Sequence, residues 1–147
     1  MNGEFCVTLT REDNYRFVLD FGSGMAKTVS DEPEPVGEDT GPNPEQLLAA
    51  AVANCLAASL LFAVRKFKGD PGHLSATAIC KTGRNEKNRL RVTGLDVAIT
   101  LDAEPESLPH LERALAQFED FCTVSQSVRS GIPFTVSVKS PDGRVLK

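Results

Sequence analysis

From Leu47 to Val64 the chain is apolar at nearly every position, interrupted only by Asn54, Cys55 and Ser59. The whole stretch from Gly41 to Lys68, GPNPEQLLAAAVANCLAASLLFAVRKFK, predicts one long helix. Asn43 suits the N-cap, Pro44 the first helical position, and Gln46 completes a capping box three residues after the cap. Glu45 complements the helix dipole at the start, and Arg65, Lys66 and Lys68 do so at the end. Gly69 is the expected C′ residue, with Pro71 just beyond. At 1.5 Å per residue the helical part from Pro44 to Lys68 spans roughly 37 Å. A helix without a polar face is covered by protein or by lipid. The apolar run reaches only the lower edge of a spanning length of about 20 residues. It is rich in Ala rather than Leu, and Asn54 lies at its centre. Strand-like segments on both sides need something to pack on. The pattern therefore predicts a core helix and no membrane span.

Elsewhere the pattern alternates. Phe5 to Thr10 and Tyr15 to Phe21 read as a hairpin around Glu12-Asp13-Asn14, and Met25 to Ser30 as a third strand. Asp31 to Pro42, acidic and rich in Pro and Gly, is a loop. Leu74 to Cys80 and Leu90 to Leu101 form a second pair of strands about the polar turn Gly83 to Asn88. Leu108, Leu111, Leu115, Phe118 and Phe121 recur at spacings of three and four, predicting an amphipathic helix opened by Pro105 and Ser107 and closed by Cys122. Thr123 to Arg129 is a short further helix. Gly131-Ile132-Pro133 then leads to a last strand, Phe134 to Lys139. This order is that of an α+β domain rather than alternating parallel units.

At 147 residues the chain is one domain, residues 1–147. Its net charge of −4 argues against nucleic acid and anionic membranes as partners. Met1 to Thr10 has no charged start followed by an apolar core, so a cytoplasmic location is expected, with the cysteines as thiols. A domain of this size has an expected radius of gyration of about 15 Å, too small to wrap the central helix comfortably. Two such helices packed together in a homodimer would cover each other.

The chemistry available is that of four cysteines, none spaced as CxxC, and two histidines, His73 and His110, which together offer no zinc site. A free cysteine is first of all a small hydrophobe, and Cys6 and Cys80, on strand-like segments without ionisable company, are read so. Cys55 in its apolar setting is also a core residue on this basis. Cys122 differs, because it opens a short helix whose free N–H groups favour a thiolate. Arg129, after that helix, is a surface or dipole residue, although a base near Cys122 would favour its thiolate.

Two segments carry a resemblance. GPNPEQLLAAAVANC and FCTVSQSVRSGIPFTVSV resemble the signatures of the OsmC/Ohr family, the osmotically induced and organic hydroperoxide resistance proteins. In that family an NPEQL-type helix start precedes one cysteine, and a second cysteine opens a CPVS-type helix followed by Gly-Ile-Pro and a strand. The resemblance covers nearly the whole chain and implies an OsmC-like α+β fold in an intertwined homodimer. It also implies a thiol peroxidase acting on alkyl or fatty-acid hydroperoxides, with Cys55 as peroxidatic and Cys122 as resolving cysteine. Glu45 matches the family's catalytic glutamate. No bound cofactor is implied; an external dithiol, in some members dihydrolipoyl groups on a partner protein, reduces the disulfide. Glu45 and Cys55 stand ten residues apart on one helix, about 15 Å along its axis, so they can meet only across two subunits. The sequence departs from the family in two places. Thr123 replaces the usual proline, and no arginine lies between Phe17 and Cys55. Arg16, less readily Arg11, and Lys27 are the available bases, and Lys is a poor substitute for a planar guanidinium. That gap supports a rival expectation: an OsmC-like redox sensor or apolar-ligand binder with little or no turnover.

Overall fold

The central helix α1 runs from Pro44 to Lys66 and begins as its sequence directs. Asn43 Oδ1 accepts from the Gln46 N–H, and Gln46 Oε1 accepts from the Asn43 N–H, both at 2.8 Å. At the other end the left-handed residue is Lys68 (φ 61°), not Gly69. Gly69 is needed for a different reason: a Cβ there would lie 2.9 Å from Val64 Cγ1. The computed structural model of this protein describes residues 3–132 and 134–147; Pro133 of the predicted Gly-Ile-Pro turn lies outside the described residues.

Before α1 comes an antiparallel sheet of β1 (Thr8–Asp13), β2 (Arg16–Asp20) and β3 (Thr28–Ser30), in that spatial order. The hairpin turn falls at Asn14-Tyr15, one step later than expected, because Asn14 accepts the positive φ of 39° that a tight turn requires. A long hairpin follows α1, with β4 (Leu74–Arg84) antiparallel to β5 (Leu90–Leu101) and a bulge at Lys81/Thr82. It packs on α1 together with the C-terminal helices. The loop from Asp31 to Thr40 is organised around one carboxylate. Asp31, 2% exposed, accepts from the N–H groups of Glu32, Glu38 and Thr40 and from the Thr40 hydroxyl. Gly37 passes so close to Asp31 and Glu32 that a side chain has no room.

The amphipathic helix expected to open at Pro105 is broken. Pro105–Ser107 is a single 3₁₀ turn, α2 covers only Leu111–Gln117, and Phe118–Phe121 is again 3₁₀. Pro109 is the cause. It pushes the preceding Leu108 to an extended conformation (φ −101°, ψ 107°), and His110 then turns left-handed (φ 54°) before α2 starts. Leu108 and Ala114 are buried, while Leu115 and Phe121 point outward. Helix α3 (Thr123–Ser130) has Cys122 as its N-cap.

The last predicted strand is absent from the single chain. Residues 134–138 form no strand, and one bridge joins Lys139 to Val145. Phe134, Val136 and Val138 alternate as a strand should, yet all three are exposed. A strand is stable only when its N–H and C=O groups pair with a neighbour, and residues 134–138 pair with none of β1–β5.

The core lies along one side of α1. Near its C-terminal end Leu60, Ala63 and Val64 pack with Leu108 and Ala114; nearer the middle Val52 and Leu56 pack with Cys122. The opposite side is bare, contrary to the expectation of burial all round: Ala50, Asn54, Ala58 and Phe62, one turn apart, are exposed. One chain of this size has too few elements to cover both sides.

Candidate active site: a buried thiol pair

Helix α3 packs against the middle of α1 through Val124 and Val128, and this brings two cysteines distant in sequence together. The Cys122 N–H donates to the Glu119 carbonyl at 3.1 Å, which fixes the turn into α3. The Cys122 side chain is fully buried against Val52 and Leu56, within hydrogen-bonding reach of half-buried Cys55. All four cysteines are free thiols. Cys80 is half-buried and Cys6 is exposed, since the segment before β1 has no cover.

The two thiols are electrostatically unequal. Burial pushes the Cys55 thiol up, and the hydrogen bond and charge of Cys122 push it further, while the Val124 and Thr123 N–H groups at the start of α3 only partly offset this. Burial acts upward on Cys122 too, but it is outweighed by hydrogen bonds from the Ser125 hydroxyl, the Cys55 thiol, the Ser125 N–H and the Ser59 hydroxyl. The Cys122 thiol is therefore held below its ordinary value. A first proton leaves Cys122 more readily, and the resulting charge holds the second proton on Cys55. Cys55 is the more accessible of the two sulfurs, since Cys122 is 0% exposed. Ser59 and Ser125 were missed in the sequence. Ser59 lies one helical turn after Cys55, and Ser125 is the third residue of α3, so spacing alone places both beside the pair.

The other expected residues are elsewhere in the chain. Glu45, in the first turn of α1, lines a cleft of about 420 Å³ with Glu32, Ala49 and Cys80, and the axial rise keeps it from the Cys55 of its own chain. Arg16 Nε approaches Glu12 Oε2 to 2.9 Å, and Lys27 Nζ pairs with Asp20 Oδ2 at 3.0 Å. Arg16, like Arg11, belongs to the β1–β3 sheet and Lys27 directly precedes β3; that sheet is not among the elements packed firmly on α1. Arg129 is not free: its guanidinium donates to Glu119 Oε2 at 2.9 Å. His110 stacks beside Phe67, with ring centroids 5.4 Å apart, and Arg113 covers the same ring. His73 is exposed at the start of β4.

The family described as OsmC-like protein matches residues 37–137, a span that holds Glu45, Cys55 and Cys122. The chain belongs to the OsmC-like family. The fold agrees with solved members. OhrB, the organic hydroperoxide resistance protein of Bacillus subtilis, superposes with a TM-score of 0.64 at 19% identity, over 88% of this chain and 93% of that one. An OsmC-like protein of unknown function from Vibrio cholerae gives 0.70 at 18% identity, over 86% and 94%. The organic hydroperoxide resistance protein OsmC of Legionella pneumophila gives 0.65 at 21% identity, over 86% and 90%. No curated protein sequence matches the chain.

Proposed function

We propose that this OsmC-like protein is a thiol peroxidase that reduces organic hydroperoxides, working as a cytoplasmic homodimer. The observation that carries the reading is the pairing of Cys55 with Cys122, an accessible thiol and a buried one, in a wall of Val, Leu, Ile and Phe side chains. Cys55 is the attacking residue because a peroxide reaches it and not Cys122. The Cys122 thiolate, hydrogen-bonded to the Cys55 S–H, takes its proton. The Cys55 sulfur then attacks the outer oxygen of ROOH; the O–O bond breaks, leaving Cys55–SOH and an alkoxide that leaves as ROH. Cys122 attacks the sulfenic sulfur, the S–S bond forms and water departs. In sum two thiols and ROOH give a disulfide, ROH and water. A dithiol reductant, such as a dihydrolipoyl group, restores both thiols by exchange. The apolar wall suits an alkyl or fatty-acid hydroperoxide better than hydrogen peroxide.

Dimerisation supplies what one chain lacks. The bare stripe of α1 faces its copy, and the Glu45 of one subunit reaches the Cys55 of the other. The test is treatment of the reduced protein with one equivalent of cumene hydroperoxide or hydrogen peroxide, followed by intact mass and peptide mapping. A Cys55–Cys122 disulfide forms faster with the organic peroxide and is lost in Cys55→Ser, while Cys122→Ser accumulates oxidised Cys55. Oxidation of Cys122 at an undiminished rate in Cys55→Ser reverses the assigned order. Oxidation no faster than that of free cysteine removes the peroxidase reading. One observation favours the second reading, a redox sensor or ligand-binding protein of low turnover: Arg16 and Lys27 are both held by carboxylates of their own sheet. In that case the same disulfide forms, but an added dithiol sustains no turnover.

A further inference from the structure

The position of Cys122 is not secured by its own helix. Helix α3 has eight residues, too few to hold its shape unaided. Cys122, its N-cap, gives no side-chain bond to the first turn, and its sulfur packs in the core instead. What holds the start of α3 comes from Glu119, three residues earlier. The Glu119 carbonyl accepts from the Cys122 N–H and from Gln126 Nε2, each at 3.1 Å. Its carboxylate accepts from the Arg129 guanidinium at 2.9 Å. Gln126 and Arg129 are three residues apart on α3 and so share a face. The turn that carries Glu119 is itself anchored, since Phe118 packs on both buried clusters of the core. One residue thus ties a fixed turn to the cysteine and to the helix beyond it.

We infer that Glu119 is a positioning residue for disulfide formation, holding α3 through Gln126 and Arg129 so that the Cys122 sulfur stays aligned with Cys55. A disulfide tolerates little misplacement: its Cβ atoms come to about 3.8 Å, with a dihedral of about 90°. A reactant that wanders from such a geometry loses effective concentration steeply. The effect falls on the second step of the reaction. Cys122 attacks Cys55–SOH, the S–S bond forms, and the hydroxyl leaves as water with the thiol proton. A looser α3 slows that step and leaves the sulfenic acid open to a second hydroperoxide, which oxidises it to the sulfinic acid and is itself reduced to ROH. The first oxidation asks of Cys122 only a hydrogen bond and is less affected. No single tie is strong, because the ion pair lies at the surface, where such pairs contribute little; the three contacts act together. The peroxide half of this inference rests on the peroxidase reading, whereas the disulfide itself also forms by exchange.

The experiment equilibrates the full chain with mixtures of reduced and oxidised dithiothreitol and reads the Cys55–Cys122 disulfide by acid quench, alkylation and peptide mapping. In the Gln126→Ala/Arg129→Ala protein the equilibrium constant for that disulfide is expected to fall roughly five- to tenfold. Glu119→Gln, which keeps both bonds to the carbonyl and loses only the charge, gives roughly a twofold fall. Asn43→Ala is the control: it weakens the far end of α1 in the reduced and the oxidised protein alike, so it lowers stability without moving the equilibrium. An unchanged constant in the double variant overturns the inference, and so does a fall of equal size in Asn43→Ala. Where circular dichroism shows the double variant misfolded, Glu119→Gln decides, and an unchanged constant there overturns the inference. With cumene hydroperoxide the double variant yields several-fold more Cys55 sulfinic acid than the unaltered protein; equal yields overturn the role in the peroxide reaction. If no peroxide oxidises Cys55 yet the exchange equilibrium falls as expected, the peroxidase reading fails and the positioning role stands.

Discussion

Replacing Phe62 by alanine tests whether the bare side of α1 is the seam between two subunits. Phe62 is 66% exposed and continues the stripe of Ala50, Asn54 and Ala58. A phenylalanine carries about 200 Å², so about 130 Å² of this one awaits cover. At about 25 cal/mol per Å² that is about 3 kcal/mol per chain, and twofold symmetry counts it twice. Association has its own entropic cost, and part of the area stays wet. If only half of the total is realised, about 3 kcal/mol, Phe62→Ala raises the dimer dissociation constant about a hundredfold. The monomer fold is barely touched, because the ring lies away from the buried cluster of its own chain. Sedimentation velocity over a dilution series reads the dissociation constant, and far-ultraviolet circular dichroism checks the fold. A Phe62→Ala protein that dissociates at the same concentration as the unaltered one refutes the seam. An unaltered protein that stays monomeric at every concentration refutes the dimer itself.

Other expectations follow from the same geometry. Mixing Cys55→Ser with Glu45→Gln homodimers and allowing exchange restores peroxidase activity that neither has alone; no recovery means that Glu45 does not act across subunits. Ser125→Ala removes the strongest of the hydrogen bonds that lower the Cys122 thiol. Its titration by thiolate absorbance therefore moves upward, with a stability cost of about 1 kcal/mol in urea; an unmoved curve would mean that the hydroxyl has no hold on the sulfur. Asn43→Ala removes one bond of the capping box and leaves the Gln46 amide unpaired, costing about 1 kcal/mol. Asp31 is held below the ordinary carboxylate range, first by the Thr40 hydroxyl and also by three backbone N–H groups, against an upward push from burial. A carboxylate lower in the folded than in the unfolded state adds stability above its ordinary value, lost as pH falls through the depressed one. Asp31→Asn flattens that acid limb of the stability curve. The same acid limb in both proteins would place the titrating group elsewhere.

Local rules decided what local interactions suffice to decide. The capping box of Asn43 and Gln46, the length of α1 and the β4–β5 hairpin each depend on neighbours within a few residues or on one facing strand, and all were legible in the sequence. The helix after Pro105 could have been read better, since Pro109 carries the information that Leu108 must be extended. Its apolar spacing concealed that, because a period of three to four persists across a break. The last strand, Phe134 to Lys139, failed for the opposite reason. Its alternation is real, but hydrogen bonds to a second strand make a strand, and this segment pairs with none of β1–β5.

For the site, the sequence alone placed Cys55 on the central helix and Cys122 at the start of a short one, each an isolated thiol with a bland reading. The family resemblance supplied their pairing; the sequence by itself had no means to do so. Tertiary structure decided their contact and the inequality of the two thiols. These depend on how α3 packs on α1, over a separation of 67 residues between the cysteines. Helix periodicity is a one-dimensional signal written within a few turns. Contact, burial and the balance of N–H groups, hydroxyls and desolvation at a sulfur arise only when distant segments close around it.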